Sequence, residues 1–289
     1  MQSKHAYCIM AHGNWSLLQK LVSLLDDERN DLYIHIDTKS YRSYMKWGEV
    51  KVTKSKLEII SQLDVRWSDI SLAEQEILLF NEVIKSGEKY ERVHLLSGQD
   101  LPLKSVDETH QFFDEHSKEE FIESKAAPQF KKRLQYYHLF VRQRRIHPLY
   151  EFLRRVFLVF QMILRVNRLK SCNLPFLYGS EWVSLTYDAV KYIVSQFPRY
   201  RNFFNYTTAC DESYKQMILS KEKGRFTFSP LGNLRYIIFK NNNPSPETLT
   251  MPDFDYMMRS GAMFARKFDD VKSPEVVEKL MKYIQGSTE

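Results

Sequence analysis

Apolar positions change their period along the chain. The stretches "AYCIMAH" (6–12) and "DLYIHID" (31–37) are short, nearly continuous apolar runs that predict buried strands, and between them "WSLLQKLVSLLDD" (15–27) repeats apolar residues at helical spacing. "KLEII" (56–60) predicts a short strand, "SDISLAEQEILLFNEVIKSG" (68–87) a long helix stopped by Gly87, and "ERVHLLSG" (91–98) a further strand. Strands separated by helices predict βαβ units, hence an α/β fold with a mostly parallel sheet and ligands at the carboxyl ends of its strands. His12, Asp37 and the "SGQD" of residues 97–100 fall at such ends.

The middle of the chain is helical in period and basic: "FKKRLQYYHLFVRQRR" (130–145), then "HPLYEFLRRVFLVFQMILRVNRLK" (147–170). At 100° per residue, Arg154, Arg155, Gln161, Arg165 and Arg168 share one arc of the second segment, opposite Phe152, Val156, Val159, Phe160 and Ile163. Beyond Pro175, "YGSEWVSLT" (178–186) predicts a strand, "YDAVKYIVSQF" (187–197) a helix, and "GRFTFSP" (224–230) and "NLRYIIF" (233–239) two more strands. "NNNPSPETLTMPDFD" (241–255) reads as loop, and "SPEVVEKLMKYIQG" (273–286) as a helix with Ser273 at its N-cap, Pro274 in the first turn and Gly286 as stop.

Composition narrows the function classes. In 289 residues, hydrophobic content of 43% supports a sizeable core, so one domain over 1–289 with a basic helical insertion at about 130–170 is the expected organisation. The net charge of +6 is uneven: residues 131–170 hold eleven Lys and Arg against the single acid Glu151. That helix is either an ordinary amphipathic helix with a solvated arginine face or a contact with an anionic membrane over 152–168; no nucleic-acid module accompanies the charge. Cys8, Cys172 and Cys210 form no CxxC pair, which fits a reducing cytoplasm, with the inner membrane face as the peripheral alternative. No run matches a signal peptide or a membrane span. GxGxxG, Walker, GxSxG and HExxH motifs are all missing, which removes the usual loops of dinucleotide, P-loop, hydrolase and zinc-protease chemistry.

"TTACDESYKQMIL" (207–219) sets two acids at a helix start. Asp211 suits an N-cap; Glu212, in the first turn, suits the helix dipole or a pairing with Lys215 or Gln216. Seven ordered blocks, "AYCIMAH", "LLDDERNDLYIHIDTKS", "HLLSGQDLPLKS", "YGSEWVSLT", "DESY", "NLRYI" and "FARKFD", resemble the core-2/I-branching N-acetylglucosaminyltransferases (glycosyltransferase family 14), which include peptide xylosyltransferases. The resemblance runs from about residue 6 to 280, weakest in the basic middle, and points to short bacterial members without a membrane anchor or stem.

That resemblance implies a GT-A-like fold and inverting transfer of a sugar, N-acetylglucosamine first among the choices, from a UDP donor to a glycan or lipid-linked saccharide hydroxyl, without metal or other cofactor. It makes Glu212 the base, Arg235 and Lys267 the diphosphate ligands, His12, Asp37 and Trp67 the nucleotide contacts, and Asp100, Glu123, Lys131 (with Arg133 as a further choice) and Trp182 the sugar or acceptor contacts. Ordinary roles stand beside these: a backbone-bonded histidine, a capping Asp37, a core Trp182, and Arg259 and Arg266 as surface cations. Three alternatives remain: a xylosyl or other donor, Mn²⁺ at Asp100 or at Asp253 and Asp255, and a non-catalytic glycan- or membrane-binding module.

Overall fold

The computed structural model describes residues 3–143, 147–222, 224–240 and 245–286. Its first part alternates as the apolar pattern predicts: β1 (His5–Ala11), α1 (Trp15–Leu25), β2 (Asn30–Ile36), α2 (Thr38–Trp47), β3 (Lys56–Ile60), α3 (Ser71–Lys85) and β4 (Arg92–Ser97). There follow β5 (Leu101–Pro102), α4 (Val106–Glu115), β6 (Glu119–Glu120), α5 (Lys132–Gln135), α6 (Pro148–Ile163), α7 (Leu169–Cys172), β7 (Ser184–Thr186) and α8 (Tyr187–Phe204). The last part is α9 (Tyr214–Leu219), β8 (Thr227–Phe228), β9 (Arg235–Ile237), α10 (Phe254–Arg259), β10 (Phe264–Arg266) and α11 (Pro274–Gly286).

The fold is mixed α/β. Its main sheet has the order β3-β2-β1-β4-β7; the first four strands are parallel and β7 runs antiparallel to β4. Every residue of β1, β2 and β4 is buried, as a parallel sheet covered on both faces requires. Alternation along β1 divides the core: Tyr7, Ile9 and Ala11 pack with α1 and α11, whereas Ala6, Cys8 and Met10 pack with α3, α8 and α9. A small sheet, β5-β10-β9, continues from the end of β4. Histidines without metal spacing are structural here: His94 bonds Ser184 and His5 at 2.8 and 3.2 Å, and His110 bonds Asn30 at 2.9 Å.

Several predicted elements are shorter than their patterns. "YGSEWVSLT" yields a strand only at Ser184–Thr186, and "GRFTFSP" and "NLRYIIF" contract to two and three residues. After a 3-10 turn at Pro128–Phe130, "FKKRLQYYHLF" makes the single turn of α5, then leaves helical geometry at Tyr136; residues 144 and 145 of the same prediction lie outside the described residues. Three helices go beyond the predicted elements: α2, which follows a cap by Asp37, α4, opened by a Ser105–Glu108 capping box, and α10.

One buried ion pair joins the α3 layer to the chain near residue 211. The Lys215 ammonium, wholly buried, contacts Glu76 Oε2, which also accepts from the Tyr214 hydroxyl at 2.7 Å, and it donates to the Asp211 carbonyl at 3.1 Å. Burial pushes the Glu76 carboxyl up to about 7. Lys215→Met should destabilise the protein by about 3–5 kcal/mol by leaving Glu76 bare, and adding Glu76→Gln should restore most of that loss in urea unfolding. Equal stability of the single variant and wild type would contradict the assignment.

Candidate active site

A cleft of about 990 Å³ opens at the carboxyl edge of the main sheet. The register pairing Ala11 with Ile36 places His12 beside Asp37, and the Asp37 N–H donates to the Ala11 carbonyl at 3.0 Å. Asp37 caps α2 through the Lys39 N–H (2.9 Å) and pairs with the Lys39 ammonium at 2.7 Å, so its capping role holds while it also lines the cleft. His12 is exposed at the same edge. Trp67 lies in the turn before α3 rather than in the helix, half exposed to the cleft.

Strand direction explains the next group. Because β7 is antiparallel to β4, the residues before Ser184, namely Trp182 and Glu181, return to the edge where β4 ends. Pairing of Ala265 with Leu101 sets Arg266 against Asp100. The Arg266 guanidinium lies 3.9 Å from the Trp182 ring centre, its Nε 3.5 Å from Asp100 Oδ1 and its Nη1 3.8 Å from Glu181 Oε1.

Four sequence expectations change here. Asp100 does not line the cleft: it is buried, its carboxylate accepts from the Ser97 N–H (3.0 Å) and hydroxyl (3.2 Å), and burial raises its pKa. Trp182 lines the cleft but is nearly buried and has Arg266 over its ring, so its core role prevails over sugar stacking. Arg266 is no surface cation; it is buried and faces the cleft. Arg235 reaches the cleft wall, yet its two Nη groups donate to the carbonyls of Leu95 (3.2 Å), Val183 (2.9 Å) and Asn233 (2.6 Å) and to the Ser184 hydroxyl (3.1 Å). Its donors therefore stitch β4 to β7, and burial lowers its pKa to about 9. Lys267, the next residue after β10, has no ion pair among the described residues; burial and then the neighbouring Arg266 charge lower its pKa.

The opposite wall carries the paired acids. Ala209 adopts φ 51°, its N–H held by the Ser68 carbonyl at 2.9 Å, and starts a 3-10 turn over Cys210–Glu212. The cap of α9 is Ser213, so Asp211 is not the N-cap the pattern predicts. Instead its side chain is buried, with Oδ1 lacking any hydrogen bond, and burial followed by the charges of Glu181 and Glu212 pushes its pKa well up. Glu212 turns the other way, into the cleft, about a third exposed. Its partner is not Lys215 but Arg133, whose Nη1 contacts Glu212 Oε2 and whose guanidinium lies 4.5 Å from the Phe130 ring centre. Burial, then the Glu212 charge, raises Tyr178 beside it to about 12.

Glu123 also lines this wall, accepting from the Ser180 N–H at 3.2 Å and pairing with Lys125. Lys131 is exposed and does not line the cleft; Arg133, two residues on, does. Asp253 accepts from the Thr250 N–H (2.8 Å) and hydroxyl (2.9 Å), and Asp255 is exposed on α10, both outside the cleft lining. Of the carboxylates in the Mn²⁺ alternative, Asp100 is thus buried against Arg266, Asp253 is occupied in a helix cap and Asp255 is exposed away from the cleft.

Sequence reasoning does not reach Glu181, Arg266 or the full part played by Arg133. Burial pushes Glu181 up to about 7 against the lowering charge of Arg266. The three sit next to, or among, residues that the motifs mark; strand register brings Glu181 and Arg266 together, and the turn after Phe130 carries Arg133 to Glu212.

A family model described as Core-2/I-Branching enzyme matches residues 5–257. No curated protein matches the chain. Among solved structures, the apo form of mouse xyloside xylosyltransferase 1 aligns with 91% of this chain and 96% of its own, at 10% identity and a TM-score of 0.40.

Two outcomes follow from the packing. A Cβ at Gly179 would lie 1.7 Å from the Glu123 carbonyl oxygen, so Gly179→Ala should cost about 3 kcal/mol and lower the melting temperature by several degrees, while alanine at open Gly13 should not. Glu181 is an acid whose folded pKa lies above its unfolded value, so the stability it contributes is complete at low pH and is lost as pH rises toward about 7. Compared with Glu181→Gln, wild type should therefore lose melting temperature between about pH 4.5 and 7; parallel curves would refute this.

Proposed function

Because the chain belongs to the Core-2/I-Branching enzyme family, we propose that it is an inverting glycosyltransferase moving a sugar, N-acetylglucosamine first, from a UDP donor to a hydroxyl of a glycan or lipid-linked saccharide. The observation that carries this reading is one cleft that the carboxylate of Glu212 lines together with the cations Arg266 and Lys267.

Transfer with inversion is one displacement. The acceptor oxygen bonds to the anomeric carbon as that carbon's bond to the β-phosphate oxygen breaks, and the acceptor proton passes to Glu212. Arg133 holds the carboxylate in place beforehand and yields to the incoming hydroxyl. The departing diphosphate carries charge that fixed donors stabilise without reorganising. Lys267 and Arg266 suit that role, since they repel one another across adjacent positions and an anion between them relieves the repulsion. Arg235 supports the wall behind them through its carbonyl contacts. His12, Asp37 and Trp67, at the sheet edge, take the nucleoside; Glu123 and Arg133, across the cleft, take the acceptor. Surface polysaccharide or glycoconjugate synthesis in the cytoplasm is the setting this reaction serves, with the leaving group neutralised by side chains rather than by a metal ion.

Glu212→Gln should lower UDP release with an acceptor by about 10²–10⁴-fold while UDP binding by calorimetry persists. Unchanged turnover would favour a binding module instead. Lys267→Ala and Arg266→Ala should each weaken UDP binding and slow turnover, in a screen spanning UDP-N-acetylglucosamine, UDP-xylose and other UDP-sugars. Chelator should leave turnover intact; loss with EDTA and recovery with Mn²⁺ would overturn the metal-free reading.

A further inference from the structure

Helix α6 is mounted with its polar side inward. Gln161, buried, accepts from the Tyr137 N–H at 2.7 Å and donates to the Tyr137 carbonyl at 2.8 Å. Just past the helix, buried Arg168 donates to the carbonyls of Phe203 (2.5 Å) and Tyr206 (3.0 Å). Arg154 is mostly covered and paired with Glu151 at 2.7 Å. The face expected to pack on the core points outward instead: Phe152 and Ile163 are 63% and 72% exposed, and Val156, Val159, Phe160 and Leu164 are each more than half exposed. These six residues form a stripe roughly 140° wide, the breadth of face that a helix of a water-soluble domain ordinarily buries.

Three observations select the occupant. The helix has 16 residues, about 24 Å, short of the ~30 Å hydrocarbon core, and no described helix is long and apolar enough to cross a membrane. Exposed cations border the stripe: Arg155 beside it, with Arg165 and Lys170 just beyond the helix. A second copy meeting this face would set these cations against their own copies, whereas an anionic surface complements them.

We propose that the apolar stripe of α6 inserts into the headgroup boundary of an anionic lipid bilayer, with Arg155, Arg165 and Lys170 on the lipid headgroups. This inverts the arginine-face contact that the sequence pattern suggests. Through the Gln161–Tyr137 contacts the inserted helix is tied to the segment that bears Arg133, the partner of Glu212. The inference concerns attachment and stands apart from the sugar-transfer reading.

The test is sedimentation of the full chain with phosphatidylcholine vesicles, with and without phosphatidylglycerol, in the absence of any sugar donor. Wild type should partition to the anionic vesicles at least about tenfold more than to neutral ones. The combined variant Phe152→Ser, Phe160→Ser, Ile163→Ser should lose that partition, and Arg155→Glu with Arg165→Glu should lose its dependence on phosphatidylglycerol. A Phe160→Trp variant, quenched by brominated lipid, reports insertion directly, so the proposal stays testable even if the triple variant melts early. Absence of wild-type binding, vesicle binding that survives the triple substitution, or a dimer in solution that the triple substitution dissolves would each overturn it.

Discussion

The contact between Lys215 and Glu76 governs the position of everything on the acidic wall of the cleft. Both groups are removed from water, so their attraction adds little net stability, but losing either leaves a bare charge in the core. Its effect is positional. Glu76 belongs to α3, which packs against β1 and β2, and Lys215 passes that placement to the Asp211 carbonyl one residue from Glu212. A continuous path of packed and charged contacts thus runs from the parallel strands to the outward carboxylate.

Adjacent acids in this turn have opposite surroundings. Asp211 is enclosed, close to Glu181 and Glu212, and takes up a proton readily. Glu212 meets a guanidinium and water instead. The two neighbours thus have different surroundings: one is enclosed within the turn, the other faces the cleft. Arg266 plays the comparable part opposite, its charge balanced at a distance by Asp100 and Glu181 while its face rests on Trp182.

The parallel sheet is legible because β1, β2 and β4 are buried on both faces and so read as short, nearly continuous apolar runs. His12 and Asp37 are legible for the same reason, being the first polar residues after those runs. What composition does not reveal is how three short strands, β7, β9 and β10, join the rest, since two- or three-residue pairings leave no period. That gap hides the Arg266–Asp100 contact and the engagement of Arg235 by backbone carbonyls. Asp211 misleads for a different reason: a cap and a buried acid have the same letter, and only the φ of Ala209 shifts the turn away from a simple helix start. On α6 the period is plain in the sequence but its orientation is not, because a helical wheel gives two faces without saying which one the neighbours accept.

The two walls of the cleft differ in what holds them. One is the rim of a sheet whose strands are fixed by continuous ladders; the other is assembled from turns at 123–133, 178–180 and 208–212, joined by contacts such as the backbone approach of Gly179 to Glu123. Insertions or substitutions between residues 131 and 170 can therefore remodel the second wall while the first keeps its shape. The cleft can thus change along one wall without disturbing the strand register of the other.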